Sequence, residues 1–209
     1  MEVENQVVKT IPHHTEFESK YRVDGDKIYE FKKIVENLDG YNFLYIQGPD
    51  YYFTKEDGSF LRYRKAENDN KNRAEVTMKE KPEDAKNNII RKEVNWRVDK
   101  TPYNTIKAGA LMQGYDYNFR IWKMCHIYNF KDATVVFYTV KDDNEKLDHF
   151  IEIEVDEDTI HKLTEKEAWM VIEKYEAIFE PLGITYRNRL RKSLYEMYVK
   201  DIYKEKVVL

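Results

Sequence analysis

The chain has 209 residues, of which 42% are hydrophobic and 35% charged, with a formal net charge of −4. That length suits one domain or two small ones, and the charge excludes the uniformly basic field that holds duplex nucleic acid. The single cysteine, Cys125, excludes an internal disulfide and suits a reducing cytoplasm, and no apolar run is long enough to cross a bilayer.

Residues 1–15 show no clear period and read as an N-terminal arm, with 16–209 as one domain. His13 and His14 are adjacent and point apart in an extended chain, which disfavours a shared metal. Glu16-Phe17-Glu18-Ser19-Lys20 alternates as a strand, placing Glu16, Glu18 and Lys20 on one face and Phe17, Ser19 and Tyr21 on the other. Asp24-Gly25-Asp26 turns the chain into a helix with Ile28, Phe31, Ile34, Val35 and Leu38 at helical spacing, ended by Gly40. Tyr41 to Gln47 is strand-like, Gly48-Pro49-Asp50 punctuates it, and Tyr51 to Thr54 resumes.

Lys55-Glu56-Asp57-Gly58 predicts a hairpin leading into Phe60-Leu61-Arg62-Tyr63-Arg64, with both arginines on one face. After a polar loop, Ala74 to Lys81 places Glu75, Thr77, Lys79 and Lys81 together, and Pro82 stops it. Ile89 to Val98 puts Arg91, Glu93 and Asn95 on one side. A helix is expected from Thr101-Pro102 to Met112, then strands over Phe119 to Phe130, Val135 to Lys141 and His149 to Val155. In the last of these Glu152 and Glu154 alternate with Ile151, Ile153 and Val155. Thr164 and Glu167 form a capping-box pattern before a helix striped by Trp169, Ile172, Tyr175 and Phe179. Ile184 to Tyr186 suggests a short strand, and Arg189 to Tyr203 a final helix.

Several strands thus carry charge on one face and apolar groups on the other, and the helices need apolar surface to cover. Spacing alone leaves two arrangements open. The charges either decorate the outer face of an open antiparallel sheet, or they line the lumen of a closed barrel whose greasy exterior lies under helices. In a lumen, like charges ~4 Å apart repel by roughly 4 kcal/mol at an effective dielectric near 20. A divalent cation among the carboxylates and a polyanion among the bases would relieve both clusters. Carboxylate oxygens suit Mg²⁺ or Mn²⁺, and Arg and Lys suit phosphate. No glycine-rich phosphate loop and no Cys/His metal cluster is present.

Glu16-x-Glu18-x-Lys20 resembles the opening signature of the CYTH superfamily, the triphosphate tunnel metalloenzymes. Leu61-Arg62-Tyr63-Arg64, Thr77-Met78-Lys79, Arg91-Lys92-Glu93, Phe150-Ile151-Glu152-Ile153-Glu154 and Arg191-Lys192-Ser193 match its later motifs in order. The resemblance covers roughly residues 16 to 198. It implies an α+β fold, a closed eight-stranded antiparallel tunnel with a polar lumen flanked by helices. It also implies a metal-dependent triphosphatase, with a nucleotidyl cyclase or a non-catalytic binder of a phosphorylated ligand as alternatives. Glu16, Glu18 and Glu154 would hold Mg²⁺ or Mn²⁺, with Glu152 nearby. Lys20, Arg62, Arg64, Lys79, Arg91, Lys123 and Lys192 would grip the phosphates, and Glu93 would orient those basic groups. Lys20 or a lumen carboxylate would activate water. The implied substrate is a small triphosphate or an RNA 5′-triphosphate end, handled by a monomer or homodimer away from membranes. Two positions depart from the family pattern: Cys125 stands where an Arg is usual, and Tyr138 where an Asp is usual.

Overall fold

The computed structural model describes residues 15–67, 73–80 and 90–200. Eight strands are connected in the antiparallel order β1-β5-β4-β3-β2-β6-β7-β8 and close into a barrel. They are β1 (Thr15–Val23), β2 (Asn42–Thr54), β3 (Phe60–Lys65), β4 (Ala74–Lys79), β5 (Ile90–Arg97), β6 (Asp116–Asn129), β7 (Ala133–Lys141) and β8 (Leu147–Val155). β1 is the seam. Its first residues, Thr15 to Phe17, pair with β5, and Glu18 to Val23 pair with β8. Closure by this strand leaves no sheet edge to be protected.

Strand alternation decides what faces out. Phe17 and Tyr21 of β1, Val135 and Phe137 of β7, and Ile151 and Ile153 of β8 form the outer core. Over them lie α1 (Lys27–Val35) and α4 (Glu165–Phe179), contributing Phe31, Val35, Ile172, Tyr175 and Phe179. Phe31 and Phe179 stack with ring centroids 5.2 Å apart. Burying each such side chain is worth about 1.5–3 kcal/mol, so this face accounts for much of the barrel's stability. A second outer cluster, Phe53, Tyr63 and Val76, lies under Ala110 of α2 (Tyr103–Met112). The Thr164–Glu167 capping box starts α4 as its sequence requires. The short α3 (Glu157–Ile160) follows β8 directly.

Three local expectations change. Gly48-Pro49-Asp50 does not interrupt β2, which runs unbroken for 13 residues. The glycine instead allows a close approach: a Cβ at Gly48 would lie 1.9 Å from the Lys65 carbonyl oxygen, and its φ is +155°. Ile184 to Tyr186 forms no strand. Ile184 is buried in the outer core, and a 3-10 turn over Tyr186–Asn188 follows, tied back by the Asn188 amide donating to the Gly183 carbonyl. The final helix, α5 (Leu194–Tyr198), begins later than expected because Ser193 and Glu196 form their own capping box. The expected arm, apart from Thr15, and His13, His14, Lys81 and Pro82 lie outside the described residues, as do the last residues of the expected final helix. Among the described residues no helix is long and apolar enough to cross a membrane.

The same alternation points Tyr52, Phe60, Phe119, Ile121, Cys125, Tyr138, Val140 and Phe150 inward, where they pack on Leu194, Tyr195 and Val199. Tyr52 and Phe119 stack at 4.4 Å, and Phe60 and Tyr195 at 4.5 Å. One end of the lumen is therefore filled by aromatic side chains and α5. The polar wall belongs to the rest.

Candidate active site

The charged faces of the strands converge on a hollow of about 390 Å³ lined by Glu16, Arg62, Arg64, Glu75, Glu93, Asn95, Lys123, Glu152 and Glu154, among others. A smaller hollow toward α5 shares Glu16, Arg62, Lys123 and Glu152 with it and adds Glu18, Lys20 and Lys79. Ten of the twelve sequence-expected site residues thus line these two adjoining hollows. Arg91 lies opposite Glu16 in the β1–β5 backbone register. Lys192 is exposed, and lines neither hollow; it precedes the Ser193 cap instead.

The register brings like charges face to face. Glu18 of β1 is directly opposite Glu154 of β8, while Lys20 is opposite Glu152. Cross-strand acids destabilise unless a cation intervenes. Two lysines do part of this. Lys20 Nζ lies 2.9 Å from Glu18 and 3.0 Å from Glu152. Lys79 Nζ lies 2.5 Å from Glu16 and 2.6 Å from Glu93. Burial would lower both ammonium pKa values, but the carboxylates outweigh it and hold them above the usual lysine range. Both lysines are thus charged hydrogen-bond donors at neutral pH.

The acids split. Burial opposes ionisation of Glu93, yet Lys79 and Arg62 pull it down to about 2. Burial, Glu18 and Glu93 together push Glu16 up to about 8 despite Lys79. Glu154 is raised well above the carboxylate range by burial and by Glu16, Glu93, Glu18 and Glu152. Glu16, Glu18, Glu93, Glu152 and Glu154 outnumber the two lysines among them, and burial with mutual repulsion disfavours ionising all of them at once. An all-oxygen donor set under such repulsion fits a hard divalent cation. As the side chains stand, no group of three His, Cys, Asp or Glu is close enough to hold a metal among the described residues. Glu16 and Glu18 are turned to their lysines, so a metal would compete with those ammonium groups.

The basic wall comes from β3, β4 and β6. Arg64 makes a bidentate pair with Asp50, 2.7 Å on each arm. Asp50 is fully buried, and although burial opposes it, Arg64 holds its carboxyl below the usual range. Arg62 donates to Thr77 Oγ1 at 2.7 Å and reaches Glu75 at 3.4 Å, while its Nε is buried without a hydrogen-bond partner. Lys123 rests over the Tyr138 ring, Nζ 4.0 Å from the centroid. Asp50, Glu75, Thr77 and Asn95 are lumen residues to which the motifs assigned no role. Alternation already sets Glu75 and Thr77 beside Lys79 and Asn95 beside Glu93, and parity with Tyr52 could have placed Asp50 with them.

A closed antiparallel barrel with acids and bases from distant strands facing one hollow, and helices on its apolar exterior, is the triphosphate-tunnel fold. No family model and no curated protein matches the chain. Solved structures match its fold closely. A conserved hypothetical protein from Pyrococcus furiosus superposes with a TM-score of 0.66 at 20% identity, over 87% of this chain and 98% of that one. A candidate adenylate cyclase from Vibrio parahaemolyticus gives 0.64 at 18% identity, over 89% and 98%. The Mimivirus capping enzyme triphosphatase gives 0.54 at 11% identity, over 80% and 90%. The chain therefore shares its fold with these three structures, and that closed eight-stranded tunnel is the fold its ordered motifs imply.

Proposed function

We propose that this chain hydrolyses a phosphoanhydride of a triphosphate-containing substrate in a metal-dependent reaction. The observation that carries this reading is the division of one lumen into an acid side, Glu16, Glu18, Glu152 and Glu154, and a basic side, Arg62, Arg64, Lys79 and Lys123. Glu16, Glu18 and Glu154 would hold Mg²⁺ or Mn²⁺, with Glu152 beside them. When bound, such an ion polarises phosphoryl oxygens and helps neutralise charge on the transferring group. The chain's own part is positioning. Arg62 brings its guanidinium to the wall of the hollow, and Lys123 an amino group held over a ring. Lys20 and Lys79, kept protonated by their carboxylates, donate to phosphate oxygens as charge develops on them. Since Lys20 is held charged, water activation falls to a lumen carboxylate rather than to Lys20.

The relatives in fold include a triphosphatase and a candidate cyclase, and both chemistries use the same clamp on the phosphates. The test is product analysis. The protein is incubated with tripolyphosphate, ATP, GTP and thiamine triphosphate, each with Mg²⁺ or Mn²⁺. Orthophosphate is the expected product. Cyclic nucleotide plus pyrophosphate would replace the hydrolase reading with a cyclase, and tight binding without turnover would replace it with a sensor.

A further inference from the structure

Tyr138 is wholly buried, and two lumen groups depend on it. Its hydroxyl donates to Glu152 Oε2 at 3.0 Å, the same oxygen that Lys20 approaches to 3.0 Å. Its ring face carries the Lys123 ammonium at 4.0 Å. Lys123 differs in this from its neighbours. Lys20, Lys79, Arg62 and Arg64 each have a carboxylate within 4 Å, whereas Lys123, only 7% exposed, has no ion-pair partner among the described residues.

The chemistry of the two kinds of partner is not the same. A carboxylate neutralises an ammonium and occupies its N–H donors. An aromatic face attracts the charge through its quadrupole and leaves the donors on the far side to another acceptor. Cys125, opposite Tyr138 across the β6–β7 ladder, supplies no competing charge while its thiol is protonated, and burial pushes that thiol above its usual range. The Lys123 side chain thus lies over the ring with no carboxylate partner at the wall of the 390 Å³ hollow, where burial and the nearby Arg64 charge lower its pKa and an incoming phosphate would favour its ammonium form.

Resting on the triphosphate reading above, we propose that Tyr138 is a positioning residue that sets polyphosphate affinity, its ring holding Lys123 un-neutralised for a phosphate oxygen while its hydroxyl keeps Glu152 on the acid side. The ring and the hydroxyl are separable. Tyr138→Phe keeps the face and loses the donor to Glu152; Tyr138→Leu loses both.

The experiment is calorimetric titration of the full chain with tripolyphosphate in the presence of Mg²⁺, for wild type, Tyr138→Phe, Tyr138→Leu, Lys123→Ala and the double variant Lys123→Ala/Tyr138→Leu. Tyr138→Phe binds within about twofold of wild type, and Tyr138→Leu loses roughly 30-fold, the size of a desolvated cation–π contact. In the Lys123→Ala background Tyr138→Leu costs no further affinity, which a general loosening of the barrel would not reproduce. The proposal is overturned if Tyr138→Leu binds like wild type, if Tyr138→Phe falls as far as Tyr138→Leu, or if the two losses simply add. Wild type failing to bind tripolyphosphate overturns the functional reading itself, which distinguishes the two failures.

Discussion

Asp50 and Arg64 form a bidentate pair in which the two partners differ in exposure: the Asp50 side chain is 0% exposed and that of Arg64 is 23% exposed to the hollow. Removing one partner of a buried, hydrogen-bonded ion pair costs about 3–5 kcal/mol, because the survivor keeps its desolvation penalty. The two removals are therefore unequal. Arg64→Leu strands a carboxylate sealed from water. Arg62 and Lys123 are near enough to stabilise its charge in part, which places the cost at the low end, about 3 kcal/mol. Asp50→Asn keeps the shape of the side chain and leaves a guanidinium that reaches cavity water, at about 1 kcal/mol. At about 2–4 °C per kcal/mol for a chain of this size, Arg64→Leu melts about 6–12 °C below wild type, and Asp50→Asn about 2–4 °C below it. Thermal unfolding by circular dichroism at neutral pH in phosphate-free buffer measures both. Equal shifts, or a larger one for Asp50→Asn, would refute the reasoning that the burial of the survivor sets the cost. The pH dependence has a definite sign. Arg64 holds the folded-state pKa of Asp50 below its unfolded value, so the contribution is complete above the unfolded value of about 3.9. It is lost as pH falls from there through the folded value, and the stability gap between wild type and Asp50→Asn narrows over that range.

Other expectations are as direct. Glu18→Gln lowers metal-dependent orthophosphate release by at least about 100-fold in a phosphate-release assay, because it removes one of the two acids that face each other across the β1–β8 seam; a wild-type rate would refute the metal assignment. Tripolyphosphate binds at least about tenfold more tightly with Mg²⁺ than with K⁺ at equal ionic strength, since an anion entering alone shares the hollow with Glu16, Glu18, Glu152 and Glu154 and nothing bridges the two; equal affinities in titration calorimetry would remove the metal from the reading. Gly48→Ala drives a Cβ into the Lys65 carbonyl and destabilises by at least about 2 kcal/mol in urea unfolding. Thr164→Ala removes a capping box and costs about 1 kcal/mol in the same assay.

The legible part of this fold was whatever a two-residue period encodes. Glu16, Glu18 and Lys20 had to share a face, as did Arg62 with Arg64 and Glu152 with Glu154, and the helical stripes of α1 and α4 required an apolar sheet surface. Inward charge follows from those two facts once the sheet closes. What stayed hidden depended on contacts between segments far apart in sequence. Gly48-Pro49 has the composition of a turn, but its use is set by the Lys65 carbonyl lying 1.9 Å from where a Cβ would be. The aromatic filling at one end was equally hidden. Tyr52, Phe60 and Phe119 obey the inward parity, yet nothing local says that Leu194 and Tyr195 come from the far end of the chain to meet them. Arg189 shows how that segment is led there: it pairs bidentately with Glu176 of α4, and the next residue, Leu190, donates its N–H to the Lys20 carbonyl at 2.8 Å.

The position of β1 explains why fold and site cannot be separated in this chain. β1 is the strand that completes the ring, and it carries Glu16, Glu18 and Lys20. Its seam with β8 brings together Glu18 and Glu154, and Lys20 and Glu152; its seam with β5 brings together Glu16 and Arg91. The acid side therefore exists only when the ends of the sheet have met, while the Asp50–Arg64 pair lies within the single β2–β3 hairpin. Closure places Glu18 against Glu154, which opposes it, and Lys20 between Glu18 and Glu152, which favours it. The outer core under α1 and α4, to which β1 gives Phe17 and Tyr21, supplies apolar burial that the seam's charges do not. One face of this strand thus drives the closure that assembles the charged groups on its other face.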